Sequence, residues 1–185
     1  MNIEIFDNLS HYIETYTQER DLAAVPIPLV ADHLQVTPAA VVAMLKTDRL
    51  DGIKIGNNTL VKLASLQRRQ DERSKEIDIV FQYLRKCARD GVRVIFYEPV
   101  MVAVDMTPRV PAHRTRIGQI LGDVSTRTYE EKGVLLSVLV HQKTAGTTRP
   151  GKGFFKLARD NFGLTWENED AFVEQQTDRA IQAYR

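Results

Sequence analysis

Ser137 and His141 are the first pair of side chains in this sequence whose types could do chemistry together. A serine hydroxyl and a histidine ring are the nucleophile and base of many hydrolases. The two residues lie in the apolar, β-rich segment VLLSVLVH (134–141), which predicts a central strand. Four residues of strand rise by about 13 Å, which is too far for a hydrogen bond between the pair, and no Gly-x-Ser-x-Gly motif surrounds the serine. We therefore expect a core serine and a histidine at the end of the strand.

A second pattern resembles a phosphate-binding loop. Gly146 and Gly151 have four residues between them and Lys152 follows, as in nucleotide-binding proteins. The next residue is Gly153 rather than serine or threonine, so the hydroxyl ligand for magnesium is missing, and no acidic partner strand stands out. The segment 143–153 therefore predicts a basic, glycine-containing loop that acts as a wing and contacts nucleic-acid phosphates, and no cofactor is expected. The cations of this loop are Lys143, Arg149 and Lys152.

The composition excludes several classes of protein. The chain of 185 residues contains one cysteine, Cys87, so no disulfide can form within it, and no Cys/His spacing fits a zinc site. No apolar run approaches the ~20 residues that cross a bilayer. The first residues are acidic and do not resemble a secretory signal. We expect a cytoplasmic protein with no metal and no membrane partner.

The formal net charge of +1 conceals a strong asymmetry along the chain. Residues 111–159 carry nine basic and three acidic side chains, whereas residues 1–50 and 160–185 each carry a net charge of −4. A basic middle between acidic ends indicates either a localised surface for a large anion, of which nucleic acid is the commonest, or a solvated charged surface.

The elements that would position such a surface begin in the N-terminal third. Residues 3–19 predict an amphipathic helix, and residues 25–50 predict two short helices separated by a tight turn. Thr37 is a suitable N-cap and Pro38 a suitable first residue for the second helix, which continues to about Lys46. Residues 51–63 alternate apolar and polar side chains around a Gly-Asn-Asn-Thr turn, which predicts a β-hairpin.

This order of elements, with the motifs VTPAAV and IKIGNNTLVKL, resembles the excisionase-like and MerR-type winged helix-turn-helix family over residues 26–66. The resemblance implies that the second helix enters the major groove and that the hairpin contacts phosphate or the minor groove. The alanines on the exposed face of this helix would make few hydrogen bonds to bases, which leaves open a winged helix used for protein–protein contact or dimerisation. The positions carried over are Thr37, Ala39, Ala40, Lys46 and Arg49 on the helix, and Lys54, Asn57, Asn58 and Lys62 on the hairpin.

Residues 64–90 contain no glycine or proline and end at Gly91, which predicts a long helix. Its first half is polar, and its second half carries an apolar face. Beyond it we expect a strand that turns into a short helix (92–106), a helix over about 112–129 with Ile117, Ile120, Leu121 and Val124 inward, a short helix from Phe154, and an acidic helix in the tail.

The motifs HRTRIGQIL and PGKGFF, in this order, weakly resemble the DNA-binding domain of the alkyltransferase-like family over residues 92–158. The reactive cysteine of that family is absent, with Ser137 near its place, so the resemblance implies DNA contact and argues against alkyl transfer. A phosphate would also be favoured at the start of the helix near residue 112. The positions implied in this half, besides the loop cations, are Tyr97, Arg109, His113, Arg114 and Arg116.

Together these patterns predict an α+β, mainly helical protein with two winged-helix-like domains joined by a long helix. The expected division is a domain at 1–66, a connecting helix at 67–90 and a second domain at 91–185. The expected function is non-catalytic binding of double-stranded DNA by a regulator of transcription, a recombination accessory or a defence-associated factor of a bacterium or mobile genetic element. The alternatives are an adaptor that binds a protein partner or forms a homodimer, and a nucleic-acid-processing enzyme.

Overall fold

The structure, a computed structural model, describes residues 3–18, 22–144 and 147–185, apart from the side chains of Thr144 and Thr147. The chain forms two compact units, Met1–Glu72 and Arg73–Arg185. Its fold is α+β and mainly helical, with two small sheets. Within the described residues no single helix is both long and apolar enough to cross a membrane.

The first unit is built on a four-stranded sheet in the order β1-β3-β4-β2. Strands β3 and β4 form the predicted antiparallel hairpin, and β1 runs parallel to β3. The strands are β1 (Ile3–Phe6), β2 (Ala24–Pro26), β3 (Gly52–Ile55) and β4 (Asn58–Lys62). The helices of this unit are α1 (Leu9–Gln18), α2 (Ile27–Leu34) and α3 (Pro38–Lys46).

The single helix predicted over residues 3–19 is wrong at its start, because residues 3–6 form β1. Phe6 is 6% exposed and packs with Leu22 and Ile53, so pairing with β3 buries it in a way that a surface helix would not. The side chain of Asn8 accepts a hydrogen bond from the backbone of His11 at 3.0 Å, and this contact marks the beginning of α1.

Helices α2 and α3 are joined by a three-residue turn and cross at 102°. Gln35 ends α2 in the left-handed conformation, with φ of 54°. Thr37 begins α3 as predicted, since its hydroxyl accepts a hydrogen bond from the amide of Ala40 at 3.2 Å. Buried side chains from both helices and from β4 form one core, whose members are Val30, Ala31, Val41, Leu45, Leu50 and Val61.

The long helix predicted over 64–90 is confirmed as α4 (Leu63–Arg89). Gly91 follows it with φ of 75°, a conformation that glycine adopts without strain. Val80, Leu84 and Ala88 are fully buried on one face of its second half, whereas residues 70–75 are exposed.

The second unit surrounds a three-stranded sheet in the order β5-β6-β7 with helices. The strands are β5 (Ile95–Phe96), β6 (Val140–Thr144) and β7 (Thr147–Pro150). The predicted inner face of the long central helix is confirmed, because Ile117, Ile120, Leu121 and Val124 are all buried. The helices are α5 (Tyr97–Val102), α6 (Pro111–Lys132), α7 (Lys152–Asp160) and α8 (Glu169–Tyr184).

The strand predicted over 134–141 is wrong for most of its length. Leu136–Leu139 form a 3-10 turn, and only Val140 and His141 belong to β6. Two hydroxyls of α6 replace the strand partners: Ser125 accepts from the amide of Ser137 at 3.1 Å and Thr128 accepts from the amide of Leu136 at 3.3 Å. The basic wing predicted within residues 143–153 corresponds to the β6–β7 hairpin.

Candidate nucleic-acid interface

The exposed face of α3 is small and apolar at its beginning and basic at its end. Thr37, Pro38 and Ala39 are exposed, whereas Ala40 is half-buried. Lys46, in the last turn, and Arg49, just beyond the helix, are exposed, and the guanidinium of Arg49 donates to the hydroxyl of Thr47 at 3.0 Å. Neither cation pairs with a carboxylate among the described residues. The basic end of this face can therefore contact anions, whereas its apolar beginning offers few hydrogen-bonding groups to a base.

The tip of the β3–β4 hairpin adds polar groups to the same unit. Gly56 has φ of 56° and makes the tight turn, and Asn57 and Asn58 beside it are exposed. Ile53 is buried, so the alternation along β3 directs Lys54 to the opposite, exposed face. Amide and ammonium groups of this kind bind phosphate oxygens without reading the base sequence.

Lys62, at the end of β4, has a different environment from the other predicted cations. Its ammonium forms an ion pair with Glu4 of β1, and its side chain is only 13% exposed. The positive charge is therefore neutralised within the sheet. Lys62 fastens the edge strand β1 to the hairpin rather than extending the basic surface.

Three of the four arginines predicted to bind DNA in the second unit have intramolecular partners. Arg116 forms an ion pair with Glu76 of α4 at 2.8 Å, and Arg149 pairs with Glu169 of α8 at 2.9 Å. Arg114 donates to the backbone oxygen of Pro108 at 2.6 Å. The net charge of residues 111–159 therefore overstates the anion-binding capacity of this region, because acids from other parts of the unit cover it.

At the start of α6, the ring of His113 is half-buried and forms a hydrogen bond within the protein. Its Nδ1 accepts a hydrogen bond from the amide of Thr107 at 3.1 Å, which holds the turn before the helix. Arg109, in that turn, is exposed, and its amide donates to the Thr107 hydroxyl at 3.3 Å.

Tyr97, Gln142 and Gly151 meet where α5, β6 and α7 come together. A side-chain carbon on Gly151 would lie 3.2 Å from the Tyr97 hydroxyl and 3.5 Å from Gln142 Oε1, so a larger residue would require the Tyr97 side chain to shift. Burial raises the pKa of Tyr97, which keeps its phenol protonated. Lys152 beside them is exposed, and Lys143 lies 4.7 Å from the centre of the Phe96 ring.

Ser137 and His141 do not form a catalytic pair. The hydroxyl of Ser137 accepts a hydrogen bond from Ser125 at 2.6 Å, and the two ring nitrogens of His141 are buried without a hydrogen-bond partner among the described residues. Burial lowers the pKa of His141, and the backbones of Thr148 and Val138 oppose this shift without reaching hydrogen-bonding geometry. His141 is therefore a neutral core residue at pH 7.

The described residues contain no group of three or more His, Cys, Asp or Glu side chains that could hold a metal ion. Gly146, the first glycine of the phosphate-loop pattern, lies outside the described residues. The sequence did not reveal that several arginines are neutralised by carboxylates. The carboxylate partners lie far away along the chain, as with Arg116 and Glu76, and no local pattern indicates them.

The chain was compared with models of known protein families, with curated protein sequences and with solved structures, and none of the three comparisons gave a match.

Proposed function

We propose that this chain binds double-stranded DNA through its first unit, as a winged helix-turn-helix protein. In this proposal α3 enters the major groove and the β3–β4 hairpin is the wing that contacts the backbone. The observation that carries it is the 102° crossing of α2 and α3 over a three-residue turn, followed directly by a short hairpin. Helix-turn-helix motifs of DNA-binding proteins cross at about 90–120°.

The distribution of cations supports the same unit. Lys46, Arg49 and Lys54 are exposed, and none of them pairs with a carboxylate among the described residues. Three phosphate contacts would contribute about −2.7 to the slope of log K against log salt concentration, at about −0.9 for each contact. Because Ala39 and Ala43 offer only methyl groups, we propose that binding depends mainly on the backbone and that discrimination between base sequences is modest.

The second unit contributes less to DNA binding in this proposal, and we do not extend the winged-helix assignment to it. Arg116 and Arg149 would have to break ion pairs at 2.8 and 2.9 Å before reaching a phosphate. Replacing Arg114 and Arg116 together by alanine is therefore expected to change DNA affinity by less than about threefold. A tenfold change would correspond to ~1.4 kcal/mol of binding free energy.

The test is fluorescence anisotropy with a labelled duplex of random sequence at about 50 and 200 mM salt. Wild-type protein should bind at low salt and weaken steeply at high salt. The Lys46→Ala/Lys54→Ala variant should reduce the salt slope by about 1.8. Lys75→Ala, which removes an exposed cation of α4, is the matched control and should bind as wild type.

Absence of binding at both salt concentrations would overturn the proposal. Equal losses for each charge removed, in the double variant and in Lys75→Ala, would also count against it, because net charge rather than the α3 and hairpin surface would then explain the affinity. A match between the salt slopes of the double variant and the wild type would exclude Lys46 and Lys54 as phosphate contacts.

A second candidate function, self-association as an adaptor, is favoured by the apolar surface of the N-terminal segment. Ile5, Leu9, Ile13 and Tyr16 are 67%, 60%, 51% and 40% exposed, and α1 has no buried residue. Neighbouring apolar side chains at this exposure are typical of contact surfaces. Sedimentation equilibrium over a range of protein concentrations tests this candidate, since Leu9→Asp should shift an associating protein to monomer. A wild-type monomer at all concentrations would exclude self-association.

A further inference from the structure

The second unit contains a polar cavity of about 420 Å³ between α4, α6 and α8. This volume falls in the range of small-molecule sites, which is about 300–1,000 Å³. All its lining residues come from the second unit, so a function for it does not depend on the proposed binding of DNA. Its lining includes Arg85, Arg127, Lys132, Arg185, Glu131 and Tyr184.

The lining of the cavity carries an excess of positive charge, since four of its side chains are basic and only Glu131 is acidic. Arg127 is neutralised, because it donates to Asp78 at 2.7 Å and to Glu131 at 3.0 Å. Arg85 and Arg185 have no carboxylate partner among the described residues. Positive charges that line a concave site raise the local concentration of anions.

The aromatic rings of the cavity hold two of these cations in place. The guanidinium of Arg127 lies 4.3 Å from the centre of the Phe81 ring, and the ammonium of Lys132 lies 4.9 Å from the centre of the Tyr184 ring. Lys132 also donates to the backbone oxygen of Ala183 at 3.0 Å. The ring faces are thus occupied by cations, so the cavity does not offer them as stacking surfaces for a planar ligand.

Tyr184 adds an unsatisfied hydrogen-bonding group. It lines the cavity, is 8% exposed, and its hydroxyl is buried without a hydrogen-bond partner in the part of the chain that the structure describes. Burial and the nearby Glu131 raise its pKa, with Arg85 and Arg127 acting in the opposite direction, so the phenol is a protonated donor at pH 7. A buried donor without an acceptor is unfavourable, and an oxyanion in the cavity would supply one.

We propose that this cavity binds a small phosphate-bearing ligand with at least two negative charges. Arg85 and Arg185 contact the phosphate oxygens, because phosphate suits the planar donor fork of a guanidinium. Lys132 and the Tyr184 hydroxyl add hydrogen bonds after a side-chain adjustment. The cavity exceeds the size of a single phosphate, so diphosphate is the smallest ligand that we expect to fill it.

Isothermal titration calorimetry of the full chain with pyrophosphate tests the proposal. Wild-type protein should bind with Kd below about 1 mM. Arg85→Gln should weaken binding about tenfold, as expected for the loss of a charge-assisted hydrogen bond, and Tyr184→Phe should weaken it severalfold. The matched control is Lys86→Gln, which removes an exposed neighbouring cation that does not line the cavity and should change Kd less than twofold.

Two outcomes would overturn the proposal: no binding of pyrophosphate at about 10 mM, or equal weakening by Arg85→Gln and Lys86→Gln. Circular dichroism of each variant separates loss of binding from loss of fold. The Lys46→Ala/Lys54→Ala variant should bind pyrophosphate as wild type does. If it loses this binding instead, the anion occupies the proposed DNA interface and the cavity proposal is wrong.

Discussion

Ser125→Ala should destabilise the second unit far more than Ser137→Ala does, although each change removes one buried hydroxyl. Ser125 is fully buried in α6. Its hydroxyl donates to the Ser137 hydroxyl at 2.6 Å and accepts from the Ser137 amide at 3.1 Å. Removing it leaves a buried backbone N–H and a buried hydroxyl without partners, at about 1–3 kcal/mol for each. We expect Ser125→Ala to lower the free energy of unfolding by about 2–4 kcal/mol.

Ser137→Ala leaves the more important bond intact, because Ser125 still accepts from the amide of residue 137. The Ser125 hydroxyl loses only its acceptor, and a serine inside a helix can turn instead to the carbonyl four residues earlier. A loss of about 1 kcal/mol is expected. The difference between the two variants therefore measures how much the 3-10 turn depends on a side-chain acceptor.

The assay is urea unfolding followed by the fluorescence of Trp166, the single tryptophan of the chain, which stacks on Phe172 at 4.4 Å within the second unit. For a unit of this size 1 kcal/mol corresponds to roughly 4 °C in Tm, so Ser125→Ala should also lower Tm by about 10 °C. Equal destabilisation by the two variants, or a larger effect of Ser137→Ala, would refute the reasoning and return Ser137 to consideration as a functional hydroxyl.

Three further predictions concern single residues. Thr37→Ala should lower stability by about 1 kcal/mol through loss of the α3 N-cap, and Thr37→Ser should restore most of it in urea unfolding. Gly52→Ala should destabilise the first unit, because its new carbon would lie 3.0 Å from Leu45; wild-type Tm would show that the sheet can shift. Burial lowers the pKa of His141, so the unfolded chain takes up the proton first and stability falls as pH drops below about 6.5. Between about pH 7.5 and 5.5 His141→Phe should lose less stability than wild type.

Elements with local signals could be predicted from the sequence. The cap at Thr37, the turn at Gly56 and the glycine stop at Gly91 lie next to the residues that they control, and the helices and hairpin that they bound were predicted within a few residues. Strand β1 could not be predicted in this way. Its partner β3 lies about fifty residues later, as in the pairing of Ile3 with Gly52, so a tertiary contact overrides the helical pattern.

The same limit applies to the candidate site. Local spacing on α3 and the hairpin selected positions that are exposed, as with Lys54 and Asn57, but it also selected Lys62, which pairs with Glu4 and is only 13% exposed. It counted Arg116 and Arg149 as available cations because their partners, Glu76 and Glu169, are distant in sequence. The cavity of the second unit joins α4, α6 and α8, and no single segment contains enough of its lining to reveal it.

The absence of any buried residue in α1 has a consequence for the timescale on which this part of the chain opens. The contacts described for it are few: Tyr12 packs against Phe6 and donates to the backbone oxygen of Leu22 at 2.8 Å. Detaching α1 therefore exposes little of the core, and this helix should form an opening unit of low free energy. In native-state hydrogen exchange its amides should exchange well before those of α6, at a rate that barely responds to mutations in the core of either unit.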